Sequence, residues 1–385
     1  MKKYLLDRRK FLRMGAAGFA VFASGGSSAI TTMNSLRDIG PLLPPDKNDM
    51  MLPPGFESRV VARTGQRPSV NSDYIWHGAP DGGATYATND GGWIYVSNAE
   101  LGNGNGGVGA LRFNAEGEVV DSYPILEGTS TNCAGGKTPW QTWLSCEEYD
   151  EGQVYECDPF GDKQPVVRPA LGSFKHEAVA VDPENQILYL TEDKPDGGFY
   201  RFRPSNPLPD LSSGILEVAR IKRQGNKHYL SWKQVPDPIA TRRPTRYQVT
   251  DYASFNGGEG MVYQDRNIFF ATKGDNKVWS YNLGSNEISI IYDVSVASNP
   301  ILRGVDNITI TPSGEVLVAE DRGNMQIILL APREQIIPLV QIVGHESSEI
   351  AGPAFNPDYN RLYFSSQRGV EGNDGSGITY EIRRV

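Results

Sequence analysis

Residues 176–193 read HEAVAVDPENQILYLTED. Glu177 opens a run of small and β-branched residues, a polar turn forms around Asp182 and Pro183, and a second apolar run ends in the acidic pair Glu192-Asp193. Short β-branched and aromatic runs bounded by Pro, Asn and Asp are strand signals. The same order returns at residues 258–276 (GEGMVYQDRNIFFATKGDN), 305–324 (VDNITITPSGEVLVAEDRGN) and 348–369 (SEIAGPAFNPDYNRLYFSSQRG). After each of the first three comes a third strand-like run: GFYRF at 198–202, KVWSY at 277–281 and MQIIL at 325–329. Two more divergent copies lie upstream. Residues 81–100 (DGGATYATNDGGWIYVSNAE) lead to GALRF at 109–113, and residues 132–148 (NCAGGKTPWQTWLSCEE) lead to QVYEC at 153–157.

Six copies of one short meander predict an all-β fold, a six-bladed β-propeller with a central channel. The alternative is a β-sandwich whose turns share a spacing by coincidence. Ring closure needs one more strand, from residues 377–382 (GITYEI) or from the N-terminal segment. Glu177 and Glu259 are 82 residues apart, against 47 and 43 for the next two intervals, so an insertion rich in Arg, Lys and Pro is expected over about 204–252, between the third and fourth blades.

The chain has 385 residues, 39 % hydrophobic and 10 % aromatic, enough for a large core and too aromatic for disorder. Its net charge of −9 argues against nucleic acid as a partner. The front is different: Lys2, Lys3, Arg8, Arg9, Lys10 and Arg13 precede a short apolar stretch from Met14 to Ala23. The run DRRKFL at 7–12 is similar to a twin-arginine export signal, with cleavage expected near Ala29. Without residues 1–29 the chain carries 31 positive and 45 negative charges, net −14. The expected organisation is signal 1–29, linker 30–52 and propeller 53–385, with no transmembrane segment. The protein is expected to be a monomer in the periplasm or outside the cell, with the twin-arginine machinery as its export partner. Of three cysteines, Cys146 and Cys157 could face each other across a hairpin, leaving Cys133 unpaired.

Equivalent positions of different blades converge on a propeller axis. The first acidic or thiol position of each copy is Asp81, Cys133, Glu177, Glu259, Asp306 and Glu349. The second strands end in Asn98 and Glu100, Glu147 and Glu148, Glu192 and Asp193, Lys273, Glu320 and Asp321, then Gln367 and Arg368. So many carboxylates at one axis repel one another unless cations intervene. Oxygen ligands in number suit Ca²⁺, and a thiolate among them suits a transition metal such as iron. Arg368 and Lys273 in the same ring suit an anion, phosphate above all.

Residues 128–148 (GTSTNCAGGKTPWQTWLSCEE) resemble the signature of the PhoX-type alkaline phosphatases. Shorter matches are KHEAV at 175–179, TED at 191–193, GEG at 258–260 and FSSQRG at 364–369. The resemblance runs from Pro53 to the C-terminus. It implies a six-bladed propeller that hydrolyses small phosphomonoesters at a centre of two Fe³⁺, three Ca²⁺ and a bridging oxo group. On this resemblance Cys133 is the thiolate iron ligand. Glu147, Glu177, Glu259 and Glu349 are the leading carboxylate ligands, followed by Glu148, Glu192 and Asp193. Arg368, with Lys273, is expected to hold the phosphate. Two positions depart from the family pattern: Ala99 stands where His is frequent, and Gln141 where Gly is usual.

Residues 102–107 (GNGNGG) fit a dinucleotide fingerprint, but a strand-like run follows instead of a helix. The histidines form no metal-binding pair, although His176 could orient Glu177. Two rivals remain: a calcium-dependent propeller lactonase or esterase, which needs carboxylates but neither iron nor Cys133, and a non-catalytic binding propeller, which needs neither set.

Overall fold

A computed structural model describes residues 32–331 and 335–385. The expected export signal lies outside the described residues. Strands β1 (Met50–Met51) and β2 (Phe56–Arg63) come first. One four-stranded meander follows: β3 (Pro80–Ala87), β4 (Trp93–Ala99), β5 (Gly106–Phe113) and β6 (Val119–Thr129). The next is β7 (Asn132–Lys137), β8 (Trp143–Glu147), β9 (Val154–Cys157) and β10 (Val166–Val167).

A nine-stranded sheet comes after it. It holds β11 (His176–Asp182), β12 (Ile187–Glu192), β13 (Phe199–Pro204), β14 (Gly214–Gln224), β15 (Lys227–Gln234), β16 (Gly258–Gln264), β17 (Asn267–Thr272), β18 (Lys277–Asn282) and β19 (Glu287–Asp293). It is continuous because β15, the second arm of a long hairpin, pairs with β19. Strands β20 (Val305–Ile310), β21 (Val316–Glu320), β22 (Gln326–Ala331) and β23 (Gln335–Ile342) take β1 as a fifth strand. Strands β24 (Ile350–Phe355), β25 (Arg361–Ser366) and β26 (Ile378–Arg384) take β2 as a fourth. Both expected closing segments are therefore used, paired with each other from Phe56↔Arg384 to Arg63↔Ile378.

The arrangement is all-β and propeller-like. The first strands touch in a closed circuit, β3 to β7, β11, β16, β20, β24 and back to β3. Glycine permits the close approach: a Cβ on Gly82 would meet Ala134 Cα at 2.6 Å, and one on Gly260 would meet Ile308 N at 2.6 Å. The turns between first and second strands are closed by short polar side chains. Asp182 Oδ1 accepts from the amides of Glu184 (3.0 Å) and Asn185 (3.2 Å), and Asn356 Oδ1 accepts from those of Asn360 and Arg361, both at 3.0 Å.

The apolar core lies between neighbouring meanders. Phe199 of β13 stacks on Phe270 of β17 with centroids 4.6 Å apart, and Phe113 of β5 packs on Tyr363 of β25 at 4.9 Å. Each such buried aromatic contributes about 1.5–3 kcal/mol of burial free energy.

Two expectations need correction. Residues 32–52 are not a free linker. Met33 and Leu36 are fully buried, and the Ser35 hydroxyl, Leu36 amide and Arg37 guanidinium all donate to buried Glu315. A Cys146–Cys157 disulfide is absent, and all three cysteines are free and buried. Cys146 pairs with Val154 while Cys157 pairs with Trp143, so the two thiols sit at different rungs of the β8–β9 ladder.

Candidate metal centre

Each inner strand is bulged near its start. The pairing skips between Pro80 and Gly83, Asn132 and Gly135, His176 and Val179, Gly258 and Met261, Val305 and Ile308, and Ala351 and Ala354. A bulge sets two residues against one and re-aims the first side chain. Five of these first positions are Asp81, Cys133, Glu177, Glu259 and Asp306. The sixth is Gly352, and Glu349 reaches the same basin from just before β24. The five side chains are all buried. The Cys133 thiol donates to Glu177 Oε1 at 3.3 Å and lies 3.7 Å from Asp81 Oδ2.

The second strands supply the other wall. Opposite the residue before the bulge stand Ala99, Glu147, Glu192, Thr272 and Glu320. The next residues are Glu100, Glu148, Asp193, Lys273 and Asp321, and alternation turns these the other way. The outcome is a division of labour. Glu147 accepts the Ser130 and Gln153 amides (3.0 and 3.1 Å), Glu320 those of Arg303 and Gln326 (2.8 and 3.0 Å). Glu192 accepts the Gly198 amide and Tyr200 hydroxyl, both at 2.8 Å, and pairs with Arg246 at 2.6 Å. These three carboxylates hold the following loops. Ala99 shares their register, facing away from the basin.

Four overlapping groups bring ligand atoms within 4.8 Å of one another: Glu100, Cys133 and Glu148; Asp81, Glu100 and Glu349; Glu177, Glu259 and Asp306; Asp306, Asp321 and Glu349. Three cations border them. Lys175 Nζ sits between Glu148 (2.9 Å) and Asp193 (2.5 Å). Lys273 Nζ is 3.1 Å from Glu259, 3.1 Å from Asp306 and 3.4 Å from Asp321. Arg368 pairs with Glu349 and lies 3.2 Å from Glu100 and 3.5 Å from Asp374, while staying 30 % exposed. Gln367 donates to Glu100 at 2.8 Å and to Asp81.

The structure thus brings together Cys133, Glu148, Glu177, Asp193, Glu259, Glu349, Lys273 and Arg368, and sets Glu147 and Glu192 outside. It adds Asp81, Glu100, Asp306 and Asp321, which the repeat alignment had placed in the ring, and Lys175. Lys175 precedes its strand and carries no periodic signal. The basin also depends on a strap. Arg246, in the 3-10 turn Thr245–Gln248, is tied to Glu192, and the chain continues to Gly257, whose carbonyl accepts the Lys273 amide at 2.8 Å.

Electrostatics alone leave the basin over-acidic. Burial, then the neighbouring carboxylates, push Asp81, Glu148 and Glu177 well above the usual range. Burial raises Glu259 and Asp306 although Lys273 opposes it, and lifts Glu349 to about 8. Burial, with Asp81 and Glu177 beside it, also raises the Cys133 thiol. Glu177 Oε2 is buried with no hydrogen-bond partner. An orphaned carboxylate oxygen, a thiol and crowded acids together fit cations as the missing counter-charge. A cavity of about 640 Å³ opens along the inner strands, lined by small, apolar and neutral polar residues with Lys137 its one charged side chain, so it lacks the carboxylates that gather in the basin.

The sequence model of the family described as Alkaline phosphatase PhoX matches residues 105–154 and 149–278. These spans hold Cys133, Glu148, Glu177, Asp193, Glu259 and Lys273. Over these residues the chain is similar to that family. Pseudomonas fluorescens PhoX, solved in complex with vanadate, a transition state analogue, superposes with a TM-score of 0.73 at 17 % identity, covering 90 % of this chain and 98 % of that one. XC5397 from Xanthomonas campestris, a gluconolactonase, shares the fold more loosely, with a TM-score of 0.51 at 12 % identity over 90 % of this chain and 99 % of its own. No curated protein matches the sequence.

Proposed function

We propose that the protein is an exported, metal-dependent phosphomonoesterase that releases inorganic phosphate from small organic phosphate esters. The observation that carries this is a thiol and a ring of carboxylates bordered by a partly exposed guanidinium, Arg368, at one mouth of the channel. In this reading the nine-stranded sheet counts as two blades, giving six. The β14–β15 hairpin and the strap after it are the insertion between the third and fourth. The blades run from about residue 53, with 32–52 packed against them. Residues 1–29 direct twin-arginine export to the periplasm or beyond.

Cys133, Glu148, Glu177, Glu349 and Asp193, with Asp81 and Glu100, would hold the ions, iron at the thiol and calcium among the oxygens, while Glu259, Asp306 and Asp321 face Lys273. When bound, these ions supply Lewis-acid stabilisation of the phosphoryl oxygens and a lowered pKa for water. Arg368 meets the phosphate. Its guanidinium is oriented by Glu349 and Glu100, so its remaining N–H groups are fixed in direction before substrate arrives. Gln367 holds Glu100 and Asp81 in place through one amide nitrogen. His176 is buried, and desolvation lowers its pKa to about 3, so it stays neutral and donates no proton. Its Nε2, 3.1 Å from the Gly172 carbonyl, fixes the start of the strand that carries Glu177.

The calcium lactonase alternative calls for carboxylates without a thiol, and Cys133 within 3.3 Å of Glu177 counts against it. The test is p-nitrophenyl phosphate hydrolysis by metal-replete protein, with metal analysis on the same sample. Turnover with iron and calcium bound is expected. Metal-loaded protein that releases no phosphate refutes the reading.

A further inference from the structure

Five of the six meanders share one register position in the acidic wall. It is the residue after the one that faces the pre-bulge position, and it is filled by Glu100, Glu148, Asp193, Lys273 and Asp321. Four are acids and one is a lysine. The sheet register is the same at each, and the lysine alone reverses the charge.

Lys273 is 32 % exposed, much as Arg368 is, but its Nζ turns into the carboxylates. Its Nζ lies between two of the carboxylate groups, within 3.1 Å of Glu259 and Asp306 and 3.4 Å of Asp321. Asp306 belongs to both groups, Glu259 to one and Asp321 to the other. Three carboxylate oxygens at about 3 Å from a single nitrogen are the surroundings a hard divalent cation seeks, with contacts longer because an ammonium is larger. Beside it, Glu177 Oε2 is buried and unpartnered, so the same group keeps ligand capacity that the lysine does not use. The backbone around Lys273 is also held. Its amide donates to Gly257 O at 2.8 Å, and it begins the 3-10 turn Lys273–Asp275.

We propose that Lys273 is a built-in cation that takes the place of one divalent ion at the node formed by Glu259, Asp306 and Asp321. The ring of ligand positions is thereby divided. The half around Cys133, Glu100, Glu148 and Asp81 remains a metal site, and the node around Asp306 receives its one fixed positive charge from the chain itself. An ammonium cannot dissociate on dilution or be removed by a chelator, so this part of the basin keeps a counter-charge in metal-poor surroundings. Lys273 is on this account a positioning residue, and Arg368 is left as the group that meets the substrate.

The inference rests on the metal-binding reading of the basin, and the experiment separates the two. Wild-type protein, Lys273→Ala and Lys273→Gln are saturated with CaCl₂ and FeCl₃ and freed of loose metal. Metal content per chain is then measured by elemental analysis, and Ca²⁺ binding by calorimetry. The expected result is one additional Ca²⁺ per chain in Lys273→Ala, with a Ca²⁺-dependent rise in melting temperature that exceeds the wild-type rise. Lys273→Gln fills the space with an uncharged group and keeps the fold testable if the alanine variant is too unstable to purify. It should show the same larger thermal response. Equal calcium stoichiometry and equal thermal response in wild type and both variants overturn the inference. Absence of bound metal in all three defeats the basin reading, and the inference with it.

Discussion

Replacing Arg246 by leucine should destabilise the protein by about 3 kcal/mol at pH 8. The guanidinium Nη1 lies 2.6 Å from Glu192 Oε1 and Nε lies 3.1 Å from Asp196, and the Glu192 side chain is 1 % exposed. Removing one partner of a buried pair leaves an uncompensated charge, which costs about 3–5 kcal/mol. The low end applies because Glu192 keeps its bonds from the Gly198 amide and the Tyr200 hydroxyl.

The sign of the pH dependence follows. Burial already holds the native Glu192 pKa above its ordinary value, against the pull of Arg246. Without the arginine it rises further, so the folded variant takes up a proton that the unfolded chain does not hold. The cost is therefore largest above the folded pKa and shrinks as the pH falls through it toward 5. Urea unfolding at pH 5 and pH 8 measures this, with unchanged denaturant slopes as the internal control. Glu192→Gln in the Arg246→Leu background should restore most of the loss, because the amide needs no counter-charge. Glu192→Gln alone should keep the wild-type metal content, as expected of a strap anchor rather than a ligand. A cost below about 1 kcal/mol at pH 8, or a double variant no more stable than Arg246→Leu, would refute the reasoning.

Cys133→Ala should lose iron and phosphatase turnover together while the fold persists, which elemental analysis, turnover and circular dichroism check; retained turnover in an iron-free variant contradicts the assignment. Metal-free protein should lose stability as the pH rises from about 4.5 through about 8, because burial and its acidic neighbours raise Glu349 from 4.5 to about 8 and the proton it holds in the folded state is lost over that window. Added Ca²⁺ should abolish this loss at pH 8, as thermal melts at several pH values will show. Gln141 occupies a left-handed turn position with φ +68°, so Gln141→Gly should stabilise by about 1 kcal/mol without altering turnover, measured by calorimetry.

The blades were legible because strand, turn and strand recur with their turn residues in place. Cys133, Glu177 and Glu259 were legible because each follows the first residue of its strand. The neighbouring acids were not. Glu147 and Glu148 are one residue apart, and only the register of β7 with β8 decides which enters the basin; a bulge shifts that parity without leaving a mark in composition. The same parity separates Glu192 from Asp193. Glu349 holds the corresponding acidic place in the repeat, yet the bulge in β24 falls on Gly352 and Pro353, and Glu349 enters from a different rung. Residues 32–52 looked like tether because four buried side chains, Met33, Leu36, Met50 and Leu52, are too few and too unevenly spaced to set up a period. The thiols of Cys146 and Cys157 looked opposable only while the rungs of their hairpin were unknown.

The pairing of β2 with β26 means that the circle is fastened by a clasp whose two halves lie at opposite ends of the described chain. Until residues 378–384 are made, β2 has no partner, and the join that brings Asp81 and Glu100 to Glu349 and Arg368 rests on β24 and β25 against β3 alone. On the metal-binding reading, a chain cut short by a few C-terminal residues loses the clasp that steadies the acidic basin even though none of its ligands is missing.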